Sequence, residues 1–224
     1  MIFQDRKEAG RLLSSHLAAY KSRADAIVLG LARGGVVVAY EIAKALLLPL
    51  NVLVPRKIGV PDNPEVAMGA ISEDGEILLN REIVDLAGVS QSLIHQEIEK
   101  EKRIAKERIL RYRKVAPLGN LKGKTILLVD DGVATGATIL VEIQSLRKKG
   151  VARIVVASPV AAVEAWEKIK AAADEAVCLN VREDFFGVSG FYREFDQVED
   201  ERVLLLLKHP FFSIKYDQHR SEDE

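Results

Sequence analysis

Residues Ile126–Thr138 read Ile-Leu-Leu-Val-Asp-Asp-Gly-Val-Ala-Thr-Gly-Ala-Thr. Ile126–Val129 is apolar throughout, as a strand buried on both faces of a parallel sheet must be. Asp130 and Asp131 follow at its carboxyl end. Adjacent carboxylates at the mouth of a buried strand are costly unless cations or hydrogen-bond donors meet them. The hydroxyls of a ribose diol are such donors. Gly132, Ala134, Gly136 and Ala137 leave backbone N–H groups uncovered just ahead of a helix, and such groups form an anion nest. Thr135 and Thr138 add hydroxyls. Acids for a sugar and a nest for its phosphate, a few residues apart, suit a ribose 5-phosphate. The bland alternative is a strand-to-helix turn with a solvated acid pair.

Competing phosphate motifs fit less well. A P-loop needs Gly-Lys-Ser/Thr opening the helix, and the corresponding residues are Gly136-Ala137-Thr138. Gly30-Leu31-Ala32-Arg33-Gly34-Gly35 can be forced into a dinucleotide fingerprint. The next strand, however, ends Val54-Pro55-Arg56, with no acid for a ribose diol.

Outward from this loop, the same strand–loop–helix unit recurs. Asp5 is placed to cap a helix through about Tyr20, with Ala9, Leu12, Leu13, Leu17 and Tyr20 on one face. Ala26–Leu31 reads as a buried strand, followed by the loop Ala32-Arg33-Gly34-Gly35 and a helix to about Leu47. Asn51–Val54 reads as a second strand. Val66–Ser72 and Glu76–Leu79 flank Glu73-Asp74-Gly75, a hairpin signal. Ser90 to about Arg113 reads as one charged helix with a narrow stripe of Ile94, Ile98, Ala105 and Ile109. Thr125–Val129 is a strand, Thr138–Lys149 a helix ended by Gly150, Arg153–Ala157 a strand, Ala161–Ala173 a helix and Ala176–Leu179 a strand. This alternation predicts an α/β fold: a Rossmann-like parallel sheet flanked by helices, with ligands beyond the carboxyl ends of the strands. The loops starting at Ala32 and Asp130 therefore matter most.

Composition sets outer limits. The 224 residues are 48% hydrophobic and 29% charged, as in an ordinary soluble globular protein. A net charge of −1 supplies no global field for nucleic acid, and no helix-turn-helix is evident. The N-terminus turns charged within a few residues, and no apolar run spans a bilayer, so neither secretion nor a membrane is expected and the expected location is the cytoplasm. The single cysteine, Cys178, sits in an apolar run and reads as a buried small hydrophobe. The polar tail Asp217–Glu224 is expected to fray.

The acid-and-threonine string resembles the signature of the type I phosphoribosyltransferases: an apolar strand, two acids, a small loop, then Thr-Gly-x-Thr. The resemblance extends through the order of parts from about Ala26 to Leu179. Leu31–Gly35 (LARGG), Pro55–Ile71 (PRKIGVPDNPEVAMGAI) and Phe191–Val198 (FYREFDQV) are similar to a group described only as predicted phosphoribosyltransferases. The resemblance implies one phosphoribosyltransferase domain over 1–210, with core 24–180, a flexible hairpin, a helical insertion over 81–114, a small C-terminal hood over 181–210, and a tail over 211–224. It implies phosphoribosyl pyrophosphate and a small acceptor as substrates, and a homodimer.

By the same resemblance, Asp130 and Asp131 would hold the ribose 2′- and 3′-hydroxyls, and Val133, Ala134, Thr135, Gly136, Ala137 and Thr138 would cradle the 5-phosphate. Arg33, Gly34 and Gly35 would bind pyrophosphate, with a non-proline cis peptide at Ala32–Arg33. Arg56 and Lys57 match basic residues on the diphosphate; read alone, they are equally a solvated charge pair. Mg²⁺ would be held mainly by the substrate, with Asp130 and Asp131 reaching it through water. The hairpin Val66–Leu79 would cover the site. Members acting on 6-oxopurines carry an aspartate just before Thr-Gly, where this chain has Ala134. No general base is therefore identifiable in the loop.

The acceptor is expected near Ser158-Pro159-Val160 and under 184–192, giving Ser158, Val160, Phe186 and Tyr192 as candidates. Aromatic faces stack on flat bases, but Phe185, Phe186, Phe191 and Tyr192 equally suit the core of a small lobe. His16 reads as structural, and His95, His209 and His219 form no ligand set. The helix from Ser90 carries eight Lys/Arg against four Glu between Glu97 and Lys114. It reads as a solvated face, or as a polyphosphate wall or dimer contact. Two functions follow: transfer of phosphoribosyl to a nucleobase-like acceptor with release of pyrophosphate, or a sensor that binds the donor or a nucleotide without turnover.

Overall fold

In the computed structural model, which describes residues 1–61 and 63–209, the apolar runs become strands, three of them with every residue buried. The order is α1 (Arg6–Ser15), β1 (Ala26–Leu31), α2 (Gly34–Leu46), β2 (Leu50–Leu53), β3 (Arg56–Val60), β4 (Asn63–Ile71), β5 (Ile77–Leu79), α3 (Arg81–Leu86), α4 (Gln91–Arg113), β6 (Thr125–Val129), α5 (Ala137–Lys148), β7 (Arg153–Ala162), α6 (Val163–Ala172), β8 (Glu175–Arg182) and α7 (Asp200–Leu207). β1, β2 and β6 are buried at every position. They join β7 and β8 in a parallel five-stranded sheet of order β2-β1-β6-β7-β8.

Alternate residues along each strand feed two separate cores. Val28, Val52, Leu127 and Val155 pack with α1, α2 and α7, whereas Ile27, Leu29, Ile126, Leu128 and Val156 pack with α5 and α6. Each fully buried aliphatic side chain contributes about 1.5–3 kcal/mol. A charge at Leu128 would forfeit this and leave an unpaired ion inside the sheet. The crossover from β1 leads outward to β2 and the crossover from β6 leads the other way to β7. The chain thus reverses between the neighbours β1 and β6, and such a switch point opens a crevice at the carboxyl ends of the strands.

Three sequence boundaries move. Asp5 does cap α1, its side chain accepting from the Glu8 N–H at 2.8 Å, but the α-helix stops at Ser15 and a 3₁₀ turn over Ala18–Tyr20 follows. Leu12 faces outward on α1, 44% exposed, while Leu13, Leu17 and Tyr20 are buried. Arg56–Val60, not expected as a strand, pairs antiparallel with β4, which pairs in turn with β5. β7 runs on to Ala162 because β8 keeps pairing with it past Ser158.

The charged helix α4 is capped by Ser90, as its sequence requires. Ile94 and Ile98 pack with Ile58 and Met68 of the small sheet, and Tyr112 reaches the main core. Cys178 is partly buried against the second core, and burial pushes its thiol up to about 11. Among the described residues no helix is long and apolar enough to cross a membrane. The expectation for the tail 217–224 and for His219 lies outside the described residues.

Candidate active site

Gly30 of β1 and Val129 of β6 lie side by side in the sheet, so the loops that follow them leave the same edge together. The first loop carries a cis peptide bond between Ala32 and Arg33. Arg33 caps α2 without a side-chain capping bond; its Nη1 donates instead to Glu199 Oε2 at 2.9 Å. Gly34 and Gly35 then press against the acids of the second loop. A Cβ on Gly34 would stand 1.9 Å from Asp131 Oδ2. One on Gly35 would stand 2.8 Å from the Val129 carbonyl and 2.9 Å from Asp130 Cα. Only hydrogen fits at either place, which explains the paired glycines in physical terms.

The two acids are treated differently by their surroundings. Arg6 of α1 holds Asp131 through Nε–Oδ2 at 2.6 Å, and Tyr192 Oη donates to the Asp131 carbonyl at 2.6 Å. Asp130 receives the Asp131 N–H on Oδ1 at 2.9 Å. Burial, reinforced by the charge of Asp131, raises the Asp130 carboxyl well above the ordinary carboxylate range, and Arg6 opposes the shift only in part.

Beyond the acids the loop divides. Val133 donates its N–H to Val160 at 2.9 Å and accepts from the Ala162 N–H at 2.8 Å, a parallel bridge to the end of β7. Its N–H therefore points into the sheet, so Val133 belongs to the wall of the cradle and not to its donors. Gly136 caps α5 with φ +74°, and the Thr135 hydroxyl accepts from Ala137 N–H at 3.4 Å. The first N–H groups of a helix lack partners within it, so the stretch to Thr138 presents donors where an anion is expected. A cavity of about 830 Å³ opens here. Ala134, Thr135 and Ala137 form one wall, Gly69 and Leu79 of the hairpin another, and Lys168 and Arg182 its basic side. Asp130, Asp131 and Arg33 lie off this wall.

The remaining candidates fall in different places. Arg56 and Lys57 open β3 just past the end of β2, with Arg56 Nε 2.7 Å from Glu101 Oε2 of α4. Ser158 and Val160 do not line a loop: both are interior residues of β7 with no exposure, and the Ser158 hydroxyl donates to the Val160 carbonyl at 3.0 Å. The pairing Ser158↔Cys178 and Val160↔Asn180 keeps them in the sheet, with Pro159 at a position that needs no N–H. Phe186 is fully exposed, whereas Tyr192 is buried beside Phe3 at a ring distance of 5.5 Å. Phe185 and Phe191 stack on each other at 5.2 Å, so much of this aromatic group builds the core of the hood.

Two residues at the site went unnoticed in the sequence, Arg6 and Glu199. A signal for Arg6 exists. It stands immediately after the cap Asp5, where a cation opposes the helix dipole, so its charge needs a partner elsewhere.

Residues 3–196 match the phosphoribosyl transferase domain. Two curated relatives from Mycobacterium tuberculosis, named "Putative phosphoribosyl transferase MT0597" (strain CDC 1551 / Oshkosh) and "Putative phosphoribosyl transferase Rv0571c" (strain ATCC 25618 / H37Rv), are each 43% identical over 211 residues, 92% of this chain. The match covers 46% of each, so the chain spans about half the length of these relatives. The crystal structure of TT1426 from Thermus thermophilus superposes with a TM-score of 0.76 at 43% identity, covering 93% of this chain and 98% of that one.

Proposed function

The chain belongs to the phosphoribosyl transferase family, and from that premise we propose that it moves the 5-phosphoribosyl group from phosphoribosyl pyrophosphate to a nucleobase-like or other small acceptor, releasing pyrophosphate. The observation that carries this reading is the docking of the Arg33 loop onto the acid loop, with Gly34 and Gly35 seated against Asp131 and Asp130. A diol site, an anion cradle and a cationic loop thereby share one sheet edge.

In this reading Asp130 and Asp131 accept from the ribose hydroxyls, and the donors from Ala134 to Thr138 hold the 5-phosphate. Gly34, Gly35 and Arg33 receive the diphosphate. The bond from C1′ to the pyrophosphate oxygen breaks as the bond to the acceptor forms, with cationic character on the sugar between the two. Arg33 offsets the charge that grows on the leaving group. Its present pair is exposed (side chains 24% and 58%), and an exposed pair contributes about 0–1 kcal/mol, so exchanging Glu199 for phosphate is cheap. Arg56, paired with the more buried Glu101, has more to give up. The hairpin over the cavity excludes water that would otherwise trap the sugar cation.

Among the described residues no cluster of His, Cys, Asp and Glu could cage a metal alone. Two adjacent carboxylates do suit Mg²⁺, which keeps its waters and takes most ligands from substrate phosphates. Asp130 and Asp131 would hold it through water, and when bound it would neutralise diphosphate charge.

The test is a screen of free bases with donor and Mg²⁺, read as nucleotide mass. A base-dependent product is expected. Donor binding with no product from any base would favour the sensor reading. Asp130→Asn with Asp131→Asn should abolish Mg²⁺-dependent donor binding, and unchanged binding would overturn the site.

A further inference from the structure

Asp131 is held from outside its own loop, and most of that hold comes from one residue. Arg6 Nε lies 2.6 Å from Asp131 Oδ2, and Arg6 Nη1 donates to the Asp196 carbonyl at 2.8 Å. Its guanidinium lies over the Phe195 ring, 3.7 Å from the centroid. The Arg6 and Asp131 side chains are 11% and 15% exposed, so this is a largely enclosed pair and not a surface one. Planarity, fork and stacking are arginine properties that lysine cannot reproduce together.

Arg6 is itself fixed by the way the N-terminal segment joins the hood. Phe3 N–H donates to Phe191 at 2.8 Å, Arg193 N–H to Phe3 at 2.9 Å and Glu194 N–H to Gln4 at 2.9 Å. This short parallel ladder sets the start of α1, and α1 carries Arg6 to Asp131. Gly34 closes on the same oxygen: a Cβ there would stand 1.9 Å from Asp131 Oδ2 and 2.9 Å from Arg6 Nε. Cation and backbone thus confine one oxygen of the carboxylate together.

We propose that Arg6 is a positioning residue of the ribose site: it fixes the Asp131 carboxylate in one direction and thereby sets the contact of that carboxylate with the ribose 2′-hydroxyl. The inference rests on the reading of Asp130 and Asp131 as the diol-holding pair. One Asp131 oxygen is tied to Arg6, which leaves the other aimed by the same hydrogen bond. A carboxylate already oriented pays less ordering cost when the sugar arrives.

The test uses ribose 5-phosphate and 2-deoxyribose 5-phosphate, which share the phosphate and differ by one hydroxyl, with affinities from calorimetry on the full chain. Arg6→Met keeps the stem over Phe195 and removes the charge and the fork. It should weaken ribose 5-phosphate about tenfold, the size of a lost charge-assisted hydrogen bond, and leave the deoxy sugar within about twofold. Arg6→Lys should recover part of the loss for ribose 5-phosphate alone. Inorganic phosphate, which reports only the cradle, should bind all three proteins alike. Equal weakening for both sugars would mark Arg6 as merely structural and overturn the proposal, as would no weakening for either. A wild-type chain that binds phosphate but does not distinguish the two sugars would overturn the diol reading itself, and this inference with it.

Discussion

The acid loop 130–136 leads into the N-terminal end of α5 and the hairpin turn 72–76 packs on its C-terminal end, and the two are secured by opposite means. Apart from the single Arg6–Asp131 pair, the acid loop is held by shape. Gly34 and Gly35 abut its carboxylates, Val188 packs directly on Gly132, and Val133 is stitched to β7. The turn is held by charge. The Glu73 carboxylate accepts from Arg113 and from the Val54 N–H, and its own N–H donates to Glu142 Oε1 at 2.9 Å. Asp74 accepts from Ser145 Oγ at 2.6 Å and Lys149 Nζ at 2.8 Å, and Lys148 reaches Glu76 at 2.6 Å. Contacts of shape are indifferent to pH and salt, whereas contacts of charge answer to both. The part proposed to aim at a sugar is thus fixed, and the part proposed as a cover is conditional.

Removing the central cation of the charged region is the harshest way to break this contrast. Arg113→Met leaves Glu73, whose side chain is 8% exposed, without its main partner. Stability should fall by about 3 kcal/mol or more, measured by urea unfolding. Next is Gly34→Ala, which attacks the shape-held region alone. Its methyl would occupy the place of Asp131 Oδ2, 1.9 Å away. Donor affinity should fall about 100-fold by calorimetry, about 2.7 kcal/mol, with a smaller loss of stability.

The third prediction concerns pH. Glu142 is fully buried, with Oε2 lacking a hydrogen-bond partner. Burial pushes its carboxyl up to about 8, with Lys149 opposing only weakly; Glu73 is raised too, by burial against the pull of Arg113. The folded chain therefore keeps protons that the unfolded chain has already lost. Stability should fall as pH rises from about 4.5 toward 8, by at most about 1.4 kcal/mol per unit for one such group. Glu142→Gln cannot ionise, so it should gain on the wild type by roughly 2 kcal/mol between pH 6 and 8. A constant difference across that range would remove the conditional half of the contrast. The smallest effect belongs to Gly75→Ala at the tip of the turn. Here φ is +90° and open space surrounds the position, so only the backbone preference is at stake, about 1 kcal/mol. Comparing Gly34 with Gly75 separates a glycine required for room from one required for its dihedral.

The sequence disclosed what depends on neighbours along the chain. The strands at Ala26–Leu31 and Thr125–Val129, the Asp5 cap and the hairpin around Gly75 all follow from local pattern, and the structure has them. What it withheld depends on partners far along the chain. β7 continues through Ser158-Pro159-Val160 only because β8 pairs there, and no local feature of those residues announces it. Arg56–Val60 is a strand because β4 returns beside it. Arg6 reaches Asp131 across 125 positions, through a ladder that forms only when the hood folds back. Tyr192 was expected at the acceptor, but its hydroxyl donates to the Asp131 carbonyl and its ring packs against Phe3, partners that no local pattern announces.

The bridge from Val133 to Val160 and Ala162 has a thermodynamic consequence for the loop that contains it. Anchored at Val133, the loop is two short arcs, 130–132 and 134–136, each pinned at both ends. A single arc would have to surrender much of its conformational entropy when a sugar phosphate arrived. Here that entropy is already given up when the sheet forms, as part of the free energy of folding. On the proposed reading, affinity for a ribose phosphate and the stability of the carboxyl end of β7 therefore draw on the same ordering, and loosening one should be felt in the other.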